Sequence, residues 1–298
     1  MTSLYRSSAI CIFCVASAAF LASAQSYTQI DFPGALATTL NGGPNPEGTS
    51  VGSYSVDGVH FHGFTFVSPN TFTPFDPPAS TSTTPNFIDP QGEIVGSYVD
   101  AASVSHGFTL KGTMYTAVDF PGALFTVLTG LNPSGEMVGF YSNASANPVC
   151  NGGTAGACHS FQVSKRGIFT SFDPPGATSS QASTVNPSGA IVGTYTDSAG
   201  VGHGYLLDKK GNYTTIDFPG AVSTFVGGNN PEGDMVGEYG DTTGNGHSFR
   251  LSNGTFTSFD PPGTVAFSDA SGINPGGTIV GIFFDAAVLE HGYIRTLK

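Results

Sequence analysis

Six histidines and six aspartates recur at matched positions along this 298-residue chain. His62, His106, His159, His203, His247 and His291 each open a His-Gly/Ser-aromatic motif, and Asp31, Asp76, Asp119, Asp173, Asp217 and Asp260 each open an Asp-Phe/Pro-Pro motif. Imidazole and carboxylate are the groups of acid–base catalysis and of metal binding. Catalysis, however, needs one distinctive constellation and not six copies of the same two groups. If each His begins a strand and each Asp ends the next, the two are cross-strand neighbours, and a buried polar side chain requires such a partner. The expected structural pairs are His62–Asp76, His106–Asp119, His159–Asp173, His203–Asp217 and His247–Asp260, with His291–Asp31 joining the two chain ends.

A second series stands two residues after a recurrent aromatic: Asp100, Asn143, Asp197, Asp241 and Asp285, with Asp57 serving after a one-residue shift. Carboxylates around the mouth of a closed fold can hold a hard cation such as calcium or a cationic ligand. These are the candidate binding loops. No calcium-loop spacing occurs, and an Asp that simply starts a solvated turn accounts for the same pattern. No metal site or other cofactor is expected. Glu238 and Glu290 depart from the repeat and read as exposed strand or loop residues. There is no Gly-x-Ser-x-Gly elbow, His-Glu-x-x-His or phosphate loop, so no catalytic residue is assigned.

The elements that position these residues follow from self-similarity. Asx-Pro-x-Gly occurs six times, beginning at Asn45, Asp89, Asn132, Asn186, Asn230 and Asn274. An apolar residue and Gly follow each copy, at Gly52, Gly96, Gly139, Gly193, Gly237 and Gly281, spaced 44, 43, 54, 44 and 44 residues apart. Each unit reads as four short strands; in the fifth they run near 223–228, 234–239, 247–251 and 255–260. Asx-Pro-x-Gly suits a type I turn, and Phe-Pro-Gly-Ala a type II turn whose Gly takes positive φ. No helical period appears.

A four-stranded unit cannot bury both faces alone, and radial stacking of six does so. The expected fold is therefore all-β, a six-bladed β-propeller. The chain after residue 24 begins with 27–32, which matches a fourth strand, and ends with 291–295, which matches a third. Pairing the two closes the ring and removes two sheet edges. An open β-solenoid or repeat array is the alternative.

Residues 1–24 read as a signal peptide: Arg6, an apolar run from Ala9 to Leu21, and Ala22-Ser23-Ala24 before Gln25. The run is too short for a membrane span. Residues 25–298 then form a single domain, secreted, periplasmic or extracellular. Nine basic side chains stand against 21 acidic ones, which disfavours nucleic acid as a partner. Cys150 and Cys158, in the one long interval, are expected to form a disulfide at the tip of an inserted loop outside the blade core.

Gly272-Ile273-Asn274-Pro275-Gly276-Gly277-Thr278-Ile279-Val280-Gly281, followed by His291-Gly292-Tyr293, resembles the extracellular HAF repeat family of bacterial proteins. The likeness covers all six units, with Gly or Ser in place of the Ala of that family's naming motif. It implies export and repeat architecture and nothing catalytic. Function divides into two classes: a noncatalytic secreted binding or interaction module for an extracellular protein or glycan, which is preferred, and a secreted propeller hydrolase or lyase acting on polysaccharide. Nonrepeating acids converging in a central channel would favour the enzyme.

Overall fold

The computed structural model describes residues 25–144, 150 and 157–297. The expected signal peptide lies outside the described residues. β1 (Gln25–Ile30) precedes five meanders of four strands and a last one of three. Blade one holds β2 (Ala37–Gly42), β3 (Thr49–Ser55), β4 (His62–Val67) and β5 (Thr71–Phe75). Blade two holds β6 (Ser82–Ile88), β7 (Ile94–Val99), β8 (Ser105–Lys111) and β9 (Met114–Ala117). Blade three holds β10 (Phe125–Leu131), β11 (Met137–Ser142), β12 (His159–Val163) and β13 (Phe169–Phe172). Blade four holds β14 (Ser179–Val185), β15 (Ile191–Thr196), β16 (Gly202–Leu207) and β17 (Tyr213–Ile216). Blade five holds β18 (Ser223–Asn229), β19 (Met235–Gly240), β20 (Gly246–Ser252) and β21 (Thr255–Phe259). Blade six holds β22 (Ser268–Ile273), β23 (Ile279–Phe284) and β24 (Glu290–Leu297), and β1 completes it.

β1 runs antiparallel to β24, with Gln25 opposite Leu297 and Ile30 opposite Gly292. The ring is a closed six-bladed β-propeller, and the open solenoid is excluded. A single parallel bridge, Ala37 to Glu290, also ties blade one to blade six.

The core lies between blades, where each blade buries one face against each neighbour. Val51 of blade one packs with Ile94 and Phe108 of blade two, and Val95 of blade two with Leu128 and Phe161 of blade three. Val236 of blade five meets Ile279 and Tyr293 of blade six, and Val280 meets Leu40 and Phe64 of blade one. Removing a side chain such as Phe64, fully buried, would cost about 3–5 kcal/mol.

The Gly that follows each Asx-Pro-x-Gly turn has a steric cause. The inner strand of every blade shifts register there, as between Leu40 and Gly42, and a Cβ on Gly52 would fall on the carbonyl oxygen of Thr39. In the turn itself Gly48 N–H donates to the Asn45 carbonyl at 2.9 Å and takes φ of 83°, a left-handed backbone that favours Gly.

Two further details tie blade to blade. The Asn side-chain amides at the turn end form a belt: Asn45 donates to the Asp89 carbonyl, Asn132 to Asn186, Asn186 to Asn230, Asn230 to Asn274, and Asn274 to Pro44. Asp89, which has no amide to give, occupies the remaining place. At the opposite end the seams alternate. Phe32, Phe120 and Phe218 stack on Tyr54, Tyr141 and Tyr239 of the following blade, with centroids 3.6, 3.6 and 3.7 Å apart. Where Pro replaces that Phe there is no ring to stack and no N–H to donate; at two of these three corners the Ser180 and Ser268 hydroxyls donate to Asp173 and Asp260 at 2.6 Å, and at the third, after Asp76, Thr83 stands in place of the Ser.

Cys150 and Cys158 are joined in a disulfide. The expected loop tip, 151–156, lies outside the described residues. Cys158, though, is fully buried beside Ser179, so the bridge is anchored in the edge of blade three and not wholly outside the blade core.

Candidate functional site

The two aspartate series, separate in sequence, converge on the same imidazoles. His106 Nδ1 lies 2.9 Å from Asp119 and its Nε2 3.5 Å from Asp100. His203 stands likewise between Asp217 at 2.9 Å and Asp197 at 3.6 Å. For His247 the partners are Asp260 at 2.9 Å and Asp241 at 3.4 Å, and for His291 they are Asp31 at 2.7 Å and Asp285 at 3.4 Å. Four blades thus carry an Asp–His–Asp chain. Two do not: among the described residues His62 and His159 pair with one carboxylate each, Asp76 at 2.8 Å and Asp173 at 2.9 Å. Asp57 bonds His60 at 2.7 Å, and Asn143 is exposed.

The carboxylates are not buried as expected. They form the solvated rim at one end of the ring, with Asp76 and Asp217 side chains 36% and 51% exposed, so their bonds are screened, while the imidazoles between them are more covered, His291 being only 13% exposed. The second oxygen-bearing series is also committed locally. Asp100 Oδ1 accepts from the Ala102 and Val104 N–H groups, and Asp197 from Ala199 and Val201, both at 2.8 and 2.9 Å. Asp241 and Asp285 repeat the arrangement. Backbone N–H donors hold all four carboxyls below the usual range. For His247 and His291, burial opposes the charged form, but the bonds to Asp260 and Asp241, and to Asp31 and Asp285, outweigh it and raise the pKa. The six histidines do not converge on a common centre, and among the described residues no group of three or more His, Cys, Asp or Glu side chains is arranged to hold a metal.

The inner strands enclose a central cavity of about 440 Å³. Phe87, Phe140, Phe225 and Phe267 supply its aromatic wall, and Gln181, Glu238 and Asp269 stand among polar residues that include Asn229 and Ser271. Glu238 is opposite Phe225 in blade five, and Asp269 opposite Ile282 in blade six. Burial raises both carboxyls, Glu238 to about 8 with a further contribution from the Asp269 charge, and Asp269 to about 6 against the Ser271 hydroxyl that donates to it. Glu238 and Glu290, read from sequence as exposed, are thereby corrected: neither is exposed, and burial raises Glu290 too. Asp269 was legible only by aligning the inner strands, where its place is taken by Thr39, Thr84, Val127, Gln181 and Phe225.

No family model and no curated protein matches this chain. Solved structures do. An Aleuria aurantia lectin mutant in complex with α-methyl-L-fucoside aligns over 87% of this chain and 90% of its own, at 10% identity and a TM-score of 0.54. A triple mutant of AofleA from Arthrobotrys oligospora aligns over 91% and 86%, at 12% identity and 0.56. TolB from Acinetobacter baumannii gives 12% identity and 0.54, over 79% of this chain and only 60% of TolB. The likeness is one of fold. Another Aleuria aurantia lectin structure that matches is described as a six-bladed β-propeller, in agreement with the ring counted from the strands. No helix among the described residues is long and apolar enough to cross a membrane.

Proposed function

We propose that this chain is an exported, noncatalytic binding module that holds a small ligand in the central cavity of its ring. The observation that carries the reading is the cavity, about 440 Å³ with an apolar, partly aromatic wall and a few convergent polar groups, which is how small-molecule sites are commonly built. The rim is less suited, because its carboxylates are already engaged by backbone N–H groups and imidazoles. Sugar is the first ligand class to test, since neighbours in fold include a lectin solved with α-methyl-L-fucoside. Export rests on the leader and the disulfide, and membership of the HAF repeat family on the six units. Residues 25–298 should be screened on a glycan array and hits titrated by calorimetry. Phe225→Ala is expected to weaken binding at least about tenfold and Asp197→Asn to leave it unchanged; the reverse result would move the site to the rim.

One observation favours the second reading, a hydrolase or lyase acting on polysaccharide. Glu238 and Asp269, both outside the repeat pattern, meet in the cavity wall, and a carboxyl that keeps its proton near neutral pH suits a general acid. Release of reducing ends from a polysaccharide, abolished in Glu238→Gln, would establish that reading; saturable binding without turnover would dismiss it.

A further inference from the structure

The cavity carries charge of one sign only. Among the described residues that line it, Glu238 and Asp269 are the sole ionisable side chains, and no Lys, Arg or His accompanies them. Glu238 Oε2 is buried and has no hydrogen-bond partner. Asp269 accepts from the Ser271 hydroxyl at 3.0 Å, which leaves its charge uncompensated. Phe267, two residues before Asp269, packs over Gly246: a Cβ there would stand 2.6 Å from the ring and 3.6 Å from Glu238 Oε2. Ring and carboxylate therefore share one wall. Another acceptor is also open. Asn229, 9% exposed and part of the same lining, donates its amide to the Ala190 carbonyl at 3.3 Å, while its Oδ1 has no partner.

The repeat does not require any of this. At the position of Glu238 the other blades carry Ser53, Ser97, Phe140, Thr194 and Ile282. Buried carboxylates left without a cation are costly, and natural chains retain them where something pairs with them. Aromatic faces attract cations too. We infer that the cavity binds a small organic ammonium ion, its –NH₃⁺ placed between Glu238 and Asp269 beside Phe225 and Phe267, with a second donor group directed to Asn229. A metal ion fits poorly, because two carboxylates among aromatic rings offer too few oxygen ligands. The upward push on both carboxyls is what a missing counter-charge produces, and a bound ammonium would reverse it.

The inference deepens the cavity reading above and rests on it, so the test must separate the two. Matched probes do so: n-hexylamine against 1-hexanol, and glucosamine against N-acetylglucosamine, titrated by calorimetry at neutral pH into residues 25–298, with thermal melts confirming that each variant folds. In wild type the amine of each pair should bind at least about tenfold more tightly, and Glu238→Gln with Asp269→Asn should erase that preference while retaining binding of the neutral probe. Equal affinity for amine and neutral probe in wild type overturns the ammonium inference and leaves the cavity reading standing. An amine preference that survives in the double variant overturns it as well. Failure of all four probes to bind overturns both.

Discussion

His291 of β24 and Asp31, just after β1, are 260 residues apart in sequence and 2.7 Å apart in space. The bond is the one that His203 makes to Asp217 within a single blade, here formed across the ring closure. A double-mutant cycle of His291→Ala and Asp31→Ala in urea should give a coupling of about 0.5–1 kcal/mol, since the Asp31 side chain is half-exposed. A raised imidazole pKa contributes stability that is fully present below the unfolded value of 6.5 and lost as pH rises through the folded value. The coupling should therefore shrink from about pH 6 to about pH 9. A pH-independent coupling, or none, would contradict the charged pair.

Ala79→Gly is expected to stabilise the ring by about 1 kcal/mol. Ala79 holds φ of 63° at a turn where the equivalent Gly34, Gly122, Gly176, Gly220 and Gly263 lie between 79° and 92°. A left-handed backbone strains a residue with a Cβ, and here the sequence departs from its own repeat. Thermal melting would read the gain, and Gly176→Ala should show the matching loss. A melting point unmoved by Ala79→Gly would mean the turn relaxes at no cost.

Asp89→Asn should complete the belt of turn amides by donating to the Asn132 carbonyl, adding about 0.5–1.5 kcal/mol at pH 7. Burial raises the Asp89 pKa despite the N–H groups of Glu93 and Gln91, with the Glu93 charge acting in the same direction as burial. A raised carboxyl is a burden only once it ionises, so the part of the gain that comes from removing the charge should fade as pH falls towards 3.8, and the part from the new amide bond should remain. Chemical denaturation at pH 7 and about pH 3.5 tests both parts. A variant less stable than wild type at pH 7 would refute the belt as a stabilising element.

Glu238 gives stability a slope of the opposite sign to ordinary acid denaturation. Its folded pKa, about 8, lies above its ordinary value of 4.5, so the folded chain holds the proton longer and stability falls as pH rises between those values. Glu238→Gln should flatten that part of the profile and raise stability at pH 8 by on the order of 1–4 kcal/mol. Melting curves from pH 4.5 to 8 would show it. Parallel profiles for variant and wild type would place the carboxyl in contact with water.

The blade plan was legible because it is repeated: the Gly after each turn, the Asx-Pro-x-Gly loops and the unmatched strand at 27–32 all have local causes that recur. Strand positions in the fifth unit differ from the sequence reading by a residue or two. Joining Asp241 and Asp260 to the same His247 needed three dimensions, since their bonds depend on how a loop folds back over a hairpin. Asp269 was hidden for a different reason. Its strand pairs and packs like its neighbours, and only the convergence of blades five and six on one axis gives a lone inner-strand carboxylate an acidic neighbour.

The alternation of Asp-Phe-Pro and Asp-Pro-Pro corners around the ring makes its natural module a pair of blades. Phe120 on Tyr141 and Ser180 on Asp173 are successive joints on the two sides of blade three, and a single Asp-Phe/Pro-Pro corner cannot carry both kinds. Six identical blades would have to abandon one joint throughout. Three copies of a two-blade segment would keep both, so a consensus sequence for this architecture is properly written about 88 residues long, with threefold symmetry, and not as a single 44-residue unit.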